Sequence, residues 1–534
     1  MWTGSGQRKV RYTTMWKRSG STVIHVGHIA PELLKGLAHK STCIGNSPVQ
    51  YFQDNFETCR YLRRAGLKYP SMADTYEYPG QYRPMYHQVE TVKFLLDHDR
   101  AFVANGLGTG KTLSALWASD ALMTMGQVRR VLIVAPISAM WNAWVTALAS
   151  TIPNRRFKLL KGTAKQKQYD CQEMSYRYLI VNPESLHLIE DYLPCVDLVI
   201  ADESTKFKSW NARRTKSLYK IARERKLWLM SATPSPQDPT DAYAQIRLLR
   251  NGLYMSYTAF RDKTMLKYGQ FKWVPRYNAM DVVASELQPC IRFSRDDCLD
   301  LPELSIIDHK VPLSPEQAKA IKSLQDKAFA EIGDTEITAV NAGVVVSKIL
   351  QVQSGAVYGE ADSNGEKEVV RLKADAVLES IEDIVTTNAN PVIVYVSFRS
   401  TVTALVDYLS DKGVSVAGIT AEVKGSKRQE LFQDMQEGRL KCIVAVASTI
   451  SHGVTLTAAD TIIWATPPVS FEVYDQANGR IYRKGQTKKC IIYRLYYDAF
   501  SNSLLKRLDK KISLQDCLLQ MLQGKSVDNP VISV

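Results

Sequence analysis

The stretch AFVANGLGTGKTLSALWASDAL (residues 101–122) runs from an apolar, β-prone start through a glycine-rich loop into a helix-prone segment. Each part suits a phosphate site. Gly106, Gly108 and Gly110 let backbone N–H groups turn inward around phosphates, and the helix start adds its positive dipole end. Lys111 then reaches the β and γ oxygens, and Thr112 supplies a hydroxyl for magnesium. The competing reading is a glycine turn that binds nothing. A Gly-Lys-Thr triplet at a strand-to-helix junction disfavours it, so ATP and Mg2+ are the expected ligands. Asn105 stands where the G-x-x-x-x-G-K-[ST] pattern has its first glycine.

Working outward, VDLVIADES (196–204) is an apolar strand ending in Asp202 and Glu203. A carboxylate pair at a strand tip beside a phosphate loop divides labour: Asp202 holds the magnesium shell and Glu203 polarises the attacking water. KLWLMSATPSP (226–236) is another such strand, ending in Ser231, Ala232, Thr233 and Pro234, small residues fit to hydrogen-bond the acidic pair or a partner lobe. Upstream, YRPMYHQVETVKFLL (82–96) places Gln88 ahead of the loop, where an amide offers both donor and acceptor to an adenine edge. In the second half, DQANGRIYRKGQ (475–486) reads as helix, with Gln476, Arg480 and Arg483 on one face. Two arginines there are suited to neutralise a transferred phosphoryl group, against the bland reading of a solvated basic face.

Short apolar runs alternate with amphipathic stretches along the rest of the chain: RRVLIVAP and YRYLIVNP, then PVIVYVSF, VSVAGIT, KCIVAVAS and TIIWATPP. Buried parallel strands joined by crossover helices read this way. The expected fold class is α/β, with two parallel-sheet domains. The expected boundaries are 1–75, a small basic accessory module; 76–300, the ATP-binding lobe; and 301–534, the second lobe. Residues 250–310, rich in aromatics and arginine, contain the connection. Nine scattered cysteines with no C-x-x-C spacing argue against zinc and disulfides. A net charge of +14 favours a polyanionic partner. No apolar run approaches the roughly 18 residues of a membrane helix and no secretory segment opens the chain, so an intracellular protein with no membrane partner is expected.

In order, these segments resemble superfamily 2 helicases, and more narrowly the Swi/Snf-like branch of double-stranded DNA translocases. Four stretches carry the narrower likeness: VLIVAPISAMWNAWV (131–145), IRFSRDDCLDLPELSIIDHKVPLSPEQ (291–317), GITAEVKGSKRQELFQDM (418–435) and LTAADTIIWATPPVSFEVYDQANGRIYRKGQTKKCIIYRL (456–495). The Q-A-x-G-R-x-x-R-x-G-Q string is complete at 476–486. The resemblance implies two RecA-like lobes. It makes Gln88 the adenine reader, Lys111 and Thr112 the Walker A pair, Asp202 and Glu203 the Walker B pair, Arg480 and Arg483 the finger arginines, and Gln476 a nucleotide sensor beside them. It puts Pro136, Ser138, Asn182, Ser397 and Gly453 in or beside segments that meet the DNA backbone.

Departures from the family pattern carry expectations of their own. Ser204 and Thr205 replace an alanine or cysteine followed by histidine, which implies coupling through hydroxyls. Ile450 and Ser451 replace glycines near Gly453. The implied activity is ATP-driven tracking along duplex, forked or branched DNA, in replication-fork remodelling, recombination or repair. The cytoplasm of a bacterial-type cell is favoured over a nucleus, because the insertions and histone-reading modules of nuclear remodellers are absent. Two alternatives stay open: a helicase that unwinds RNA or DNA strands, and a nucleotide-switched clamp on nucleic acid, against which Glu203 and both arginines argue. The basic, aromatic residues 1–75 suit a reader of branched DNA or a cap packed on the first lobe.

Overall fold

The apolar runs become the strands of two parallel sheets. The structure, a computed structural model, describes residues 15–508 apart from 20–21, 28, 36, 68, 236–237, 269–271, 296–297, 299–300, 333–346, 362–366, 424, 451–453, 469, 503 and 507. Ahead of the sheets, β1 (Met15–Ser19), β2 (Thr22–Val26), β3 (His39–Ile44) and β4 (Ser47–Gln53) form an antiparallel sheet in the order β1-β2-β4-β3. The helix Phe56–Arg64 packs with it around Val23, Phe52, Cys59, Leu62 and Tyr69.

The first lobe holds β5 (Arg100–Val103), β6 (Arg130–Val134), β7 (Phe157–Leu159), β8 (Tyr178–Val181), β9 (Val196–Asp202) and β10 (Lys226–Met230). A small hairpin, β11 (Met265–Tyr268) with β12 (Lys272–Pro275), precedes the last strand, β13 (Cys290–Ile291). Seven strands pair in parallel as β13-β5-β10-β9-β6-β8-β7. The second lobe begins at β14 (Leu304–Lys310) and carries the hairpin β15 (Ala356–Ala361) and β16 (Lys367–Arg371). Then come β17 (Val392–Val396), β18 (Val416–Ile419), β19 (Cys442–Val446), β20 (Thr461–Trp464) and β21 (Cys490–Tyr496), in the parallel order β14-β21-β20-β17-β19-β18. These are two RecA-like α/β lobes, and the chain passes from one sheet to the other between Ile291 and Leu304.

Both faces of each sheet are covered, which is why the strands read as continuous apolar runs. Along β9 and β10, Val199, Ala201, Leu227 and Leu229 enter one core, while Leu198, Ile200, Trp228 and Met230 enter the other. The second lobe repeats the alternation, with Ile393, Tyr395, Ile443 and Ala445 on one side and Val392, Val394, Cys442 and Val444 on the other. Each such aliphatic side chain contributes roughly 1.5–3 kcal/mol relative to exposure.

The N-terminal module is tied to the first lobe by charge and by shared core. Arg60 donates to the Asp97 carbonyl and pairs with Asp99, and Arg63 Nε lies 2.8 Å from Asp97 Oδ2. Phe56 and Ala73 join the first lobe's core. Most of residues 250–291 also belong to that lobe, through the helices Tyr257–Thr264 and Ala279–Glu286 and strand β13.

Arg130 is fully buried in β6 and donates to the carbonyls of Cys171, Glu173, Tyr176 and Pro194, so one guanidinium serves four chain ends that no strand partner reaches. Arg130→Met keeps the volume and leaves those acceptors unmet. It is expected to cost about 3 kcal/mol and to lower the first melting transition by several degrees in scanning calorimetry, with no change in the second.

Candidate active site

Sheet register brings the chemistry together. Val103 and Asp202 both lie opposite Met230, so the loop after β5 and the acidic pair after β9 leave the sheet at one edge. The loop ends at Gly110, whose φ of +81° is left-handed, and a Cβ there would sit 2.0 Å from Gln88 Nε2. Conformation therefore favours glycine, and any side chain here would also have to displace the Gln88 amide. The helix Lys111–Thr124 follows. Gln88 bridges its own helix and the loop: Oε1 accepts from Met85 N at 2.9 Å and Nε2 donates to the Thr109 carbonyl at 3.3 Å.

Lys111 Nζ donates to the carbonyls of Asn105 (2.9 Å) and Gly106 (3.1 Å). Burial pushes its pKa down, opposed by the negative field of Glu203 and then Asp202. Asp202 is held on both oxygens: Oδ2 accepts from Trp144 Nε1 at 2.8 Å and Oδ1 from the Glu203 backbone N–H at 3.0 Å. Glu203 adopts φ 47°, ψ 57°, a left-handed conformation that non-glycine residues rarely take. Burial, then the neighbouring Asp202, push its pKa up to about 8. Burial likewise lowers Arg480 to about 10 and draws Arg483 down.

A cleft of about 540 Å³ lies between the lobes. Gln88, Gly108, Gly110, Lys111, Thr112, Asp202 and Glu203 line it from the first lobe, and Gly479, Arg480 and Arg483 from the second. The lobes also touch directly. Thr205 Oγ1 donates to Glu472 Oε1 at 3.1 Å, and Arg295 pairs with Asp475 at 3.2 Å. Ser204 Oγ donates to Gln245 Oε1 at 2.7 Å, so both hydroxyls that depart from the family pattern make contacts. A second inter-lobe groove, about 1010 Å³, is lined by Pro136, Ser138, Trp141, Lys161 and Lys206 from the first lobe and by Arg428, Ser448 and Thr449 from the second.

A model of the SNF2-related domain matches residues 87–355, half of the chain. The chain belongs to the SNF2-related family. The Helicase conserved C-terminal domain matches residues 373–485 of this SNF2-related protein. It is thus a helicase-like, ATP-hydrolysing enzyme of superfamily 2. Protein p41 of Acyrthosiphon pisum secondary endosymbiont phage 1 is 26% identical over 476 residues, 83% of this chain and 99% of that protein. The ATP-dependent DNA helicase DDM1 of Arabidopsis thaliana is 22% identical across 81% of this chain, which spans 61% of DDM1. The SWI/SNF-related matrix-associated actin-dependent regulator of chromatin subfamily A-like protein 1 of Xenopus tropicalis is 22% identical, and the chain spans 42% of it. Two solved SWI2/SNF2 ATPase cores of Sulfolobus solfataricus, one in complex with dsDNA, align at 19% and 18% identity. They cover 84% of this chain and 95% and 96% of their own, with TM-scores of 0.39 and 0.37.

Several sequence expectations for this SNF2-related ATPase need correction. The helix holding Gln476 is Phe471–Asn478 and stops at Gly479, so Arg480 and Arg483 lie in the turns beyond it. They converge because both donate to the Val454 carbonyl, at 3.0 and 3.1 Å. Gln476 is buried, with Nε2 toward Glu472 at 3.4 Å, and is not among the walls of the cleft. The Gly106 N–H does not turn toward phosphate; it donates to the Phe293 carbonyl at 2.9 Å, because the chain after β13 runs on beside the loop. Ser231 accepts from Thr233 N, which closes its own turn and does not reach the acidic pair. Pro136 and Ser138 line the second groove, and the Asn182 amide donates to Glu184 at its rim. Ser397 shares a 2.6 Å hydrogen bond with Thr466 and is not among the groove's walls, and Gly453 lies outside the described residues.

Sequence reasoning missed Trp144 as the donor to Asp202 and missed the work of Asn105. The Asn105 amide donates to Thr91 Oγ1 and accepts from Phe293 N, both at 2.9 Å. An asparagine in place of a loop glycine was the available signal.

A folded pKa near 8 for Glu203, above its ordinary 4.5, means that the folded protein binds this proton more tightly than the unfolded chain. Stability from this group is full below about pH 4.5 and is lost as pH rises through about 8. Glu203→Gln should therefore raise the melting temperature of nucleotide-free protein, by more at pH 8 than at pH 5. A Tm difference that is flat with pH, or grows toward acid, would show that the carboxyl is ionised throughout.

Proposed function

We propose that the chain is an ATP-dependent DNA translocase that tracks along duplex, forked or branched DNA. The observation that carries this is the pairing of two inter-lobe clefts, one acidic, basic and glycine-lined, the other edged by cations and hydroxyls. Residues of both lobes wall each cleft, so a ligand in one changes the spacing that the other sees. In this reading Gln88 reads adenine. Lys111 and the N–H groups of Gly108 and Gly110 hold the phosphates. In its ionised form, which gains ground as pH rises through about 8, Glu203 takes the proton from the attacking water as the bond from the γ phosphorus to the bridging oxygen breaks, giving ADP and phosphate. Arg480 and Arg483 offset the charge on the transferred group.

Thr112 and Asp202 suit Mg2+. Both present oxygens to the cleft, and magnesium keeps water and substrate oxygens for its remaining positions, so no cage of several carboxylates is required. When bound, the ion neutralises the β and γ oxygens.

For DNA, the Ser138 hydroxyl is a donor suited to a backbone phosphate, Pro136 forms wall beside it, and Lys161, Lys206 and Arg428 supply charge. The cellular setting we favour is replication-fork remodelling, recombination or repair in a bacterial-type cytoplasm. The match to nearly the whole of a phage protein supports the bacterial-type cell and not the particular DNA transaction. Among the described residues no helix is long and apolar enough to cross a membrane.

Steady-state ATPase of the parent and Glu203→Gln, with no nucleic acid, single-stranded DNA, circular duplex, forked DNA and RNA, tests the reading. Stimulation by duplex or forked DNA, abolished in the variant, is the expected outcome. Stimulation by RNA alone points to an unwinding helicase, and none by any probe to a clamp. If about 5 phosphates are neutralised, affinity should fall a few hundredfold between 50 and 200 mM salt, and a flat salt response would sink the translocase.

A further inference from the structure

The segment after β6 departs from ordinary helix. Residues Met140–Val145 form a π-helix, between the short helix Ile137–Ala139 and the helix Thr146–Thr151. Such turns are rare and concentrate at functional sites. Here the consequence concerns two tryptophans. In an α-helix Trp141 and Trp144, three residues apart, would lie on one face. The wider π turn spreads them. Trp144 is fully buried with its N–H on Asp202, while Trp141 is 53% exposed on the wall of the second groove.

An exposed tryptophan alone means little. This one stands in a groove edged by Lys161, Lys206 and Arg428 against one acid, Glu184, with Ile137 beside it, 73% exposed. Lys161 Nζ lies 5.4 Å from the Trp141 ring centre, and Trp141 enters no described aromatic pair. A cation next to an exposed aromatic face in a basic groove suits holding a nucleic-acid strand by phosphate and base together.

We propose that Trp141 is a nucleotide-stacking residue that engages an unpaired base where the groove meets a fork, branch or single strand. This rests on the reading of that groove as the nucleic-acid path. Lys161 takes a phosphate and the indole takes the face of an adjoining base. Base faces are open in single strands and at branch points and closed inside a stacked duplex. The contact therefore favours single-stranded and forked DNA over continuous duplex, beyond what backbone contacts alone would select.

The test is fluorescence anisotropy of the full chain with three labelled probes: a 30-nucleotide single strand, a blunt duplex, and a fork with two single-stranded arms. Each is titrated at several salt concentrations. Trp141→Ala and Trp141→Leu should each bind the single strand and the fork roughly tenfold or more weakly, with duplex affinity near the parent's and the salt slope unchanged. Trp141→Phe should keep most of the affinity. Lys206→Ala should instead weaken all probes and flatten the slope by about 1. If Trp141→Ala fails to fold, as judged by its melting curve, the Leu and Phe pair decides, since only Phe retains a ring. Parent-like binding by Trp141→Leu, equal loss on the duplex, or a flattened slope would each overturn the stacking role. A parent that binds none of the probes would overturn the translocase reading itself and this inference with it.

Discussion

A half-buried ammonium group on the wall of the cleft sets the terms on which the two lobes meet. Lys111 is held by two loop carbonyls and by the field of Asp202 and Glu203, while burial pushes its pKa down. The same burial, with Asp202 beside it, pushes the Glu203 pKa up to about 8, so each group's charged form is favoured by the other and disfavoured by its surroundings. That mutual dependence needs the β5 loop and the β9 tip at one edge, and β10 between them supplies the register. The remaining members come from far off in sequence. Arg480 lies close enough to feel Glu203, and Glu472 both repels Glu203 and accepts from Thr205. A like-charged neighbour tethered by a hydroxyl makes lobe contact sensitive to the charge in the cleft.

The link between lobes is itself part of the phosphate loop. After β13 the chain keeps pairing, so that Ala104 and Gly106 donate to Ile291 and Phe293, and Asn105 accepts from Phe293. Two residues later Arg295 reaches Asp475 in the second lobe. Backbone hydrogen bonds and one ion pair thus connect the loop to the helix that precedes the arginines. A glycine at position 105 would have no side chain with which to make this tie, which gives the departure from the Walker pattern a mechanical reason. The π-helical segment is a second short path, from the groove wall at Ser138 and Trp141 to the acid at Asp202.

Much of this was legible from residue order. The eight quoted apolar runs are strands, because two-sided burial leaves no polar face to interrupt them. Gly110, Lys111, Thr112, Asp202 and Glu203 were each legible from local pattern, since a strand end, a tight loop and a helix start are local events. The extent of the arginine helix was not. Spacing placed Gln476, Arg480 and Arg483 on one helical face, whereas Gly479 ends the helix and a carbonyl at Val454 gathers the arginines.

By itself, then, the sequence determined the α/β class, the two-sheet division and the placing of the glycine-rich loop and the acidic pair at strand ends, because these depend on periodicity and on neighbours within a few residues. Tertiary structure alone decided which groups share a cleft, that Gly106 serves the linker and that Trp144 holds Asp202. Those contacts join residues separated by up to hundreds of positions, and the one-residue change in helical winding that parts Trp141 from Trp144 leaves no mark in composition or spacing. A chain's order states what each group can do, and only folding states which groups lose their water together.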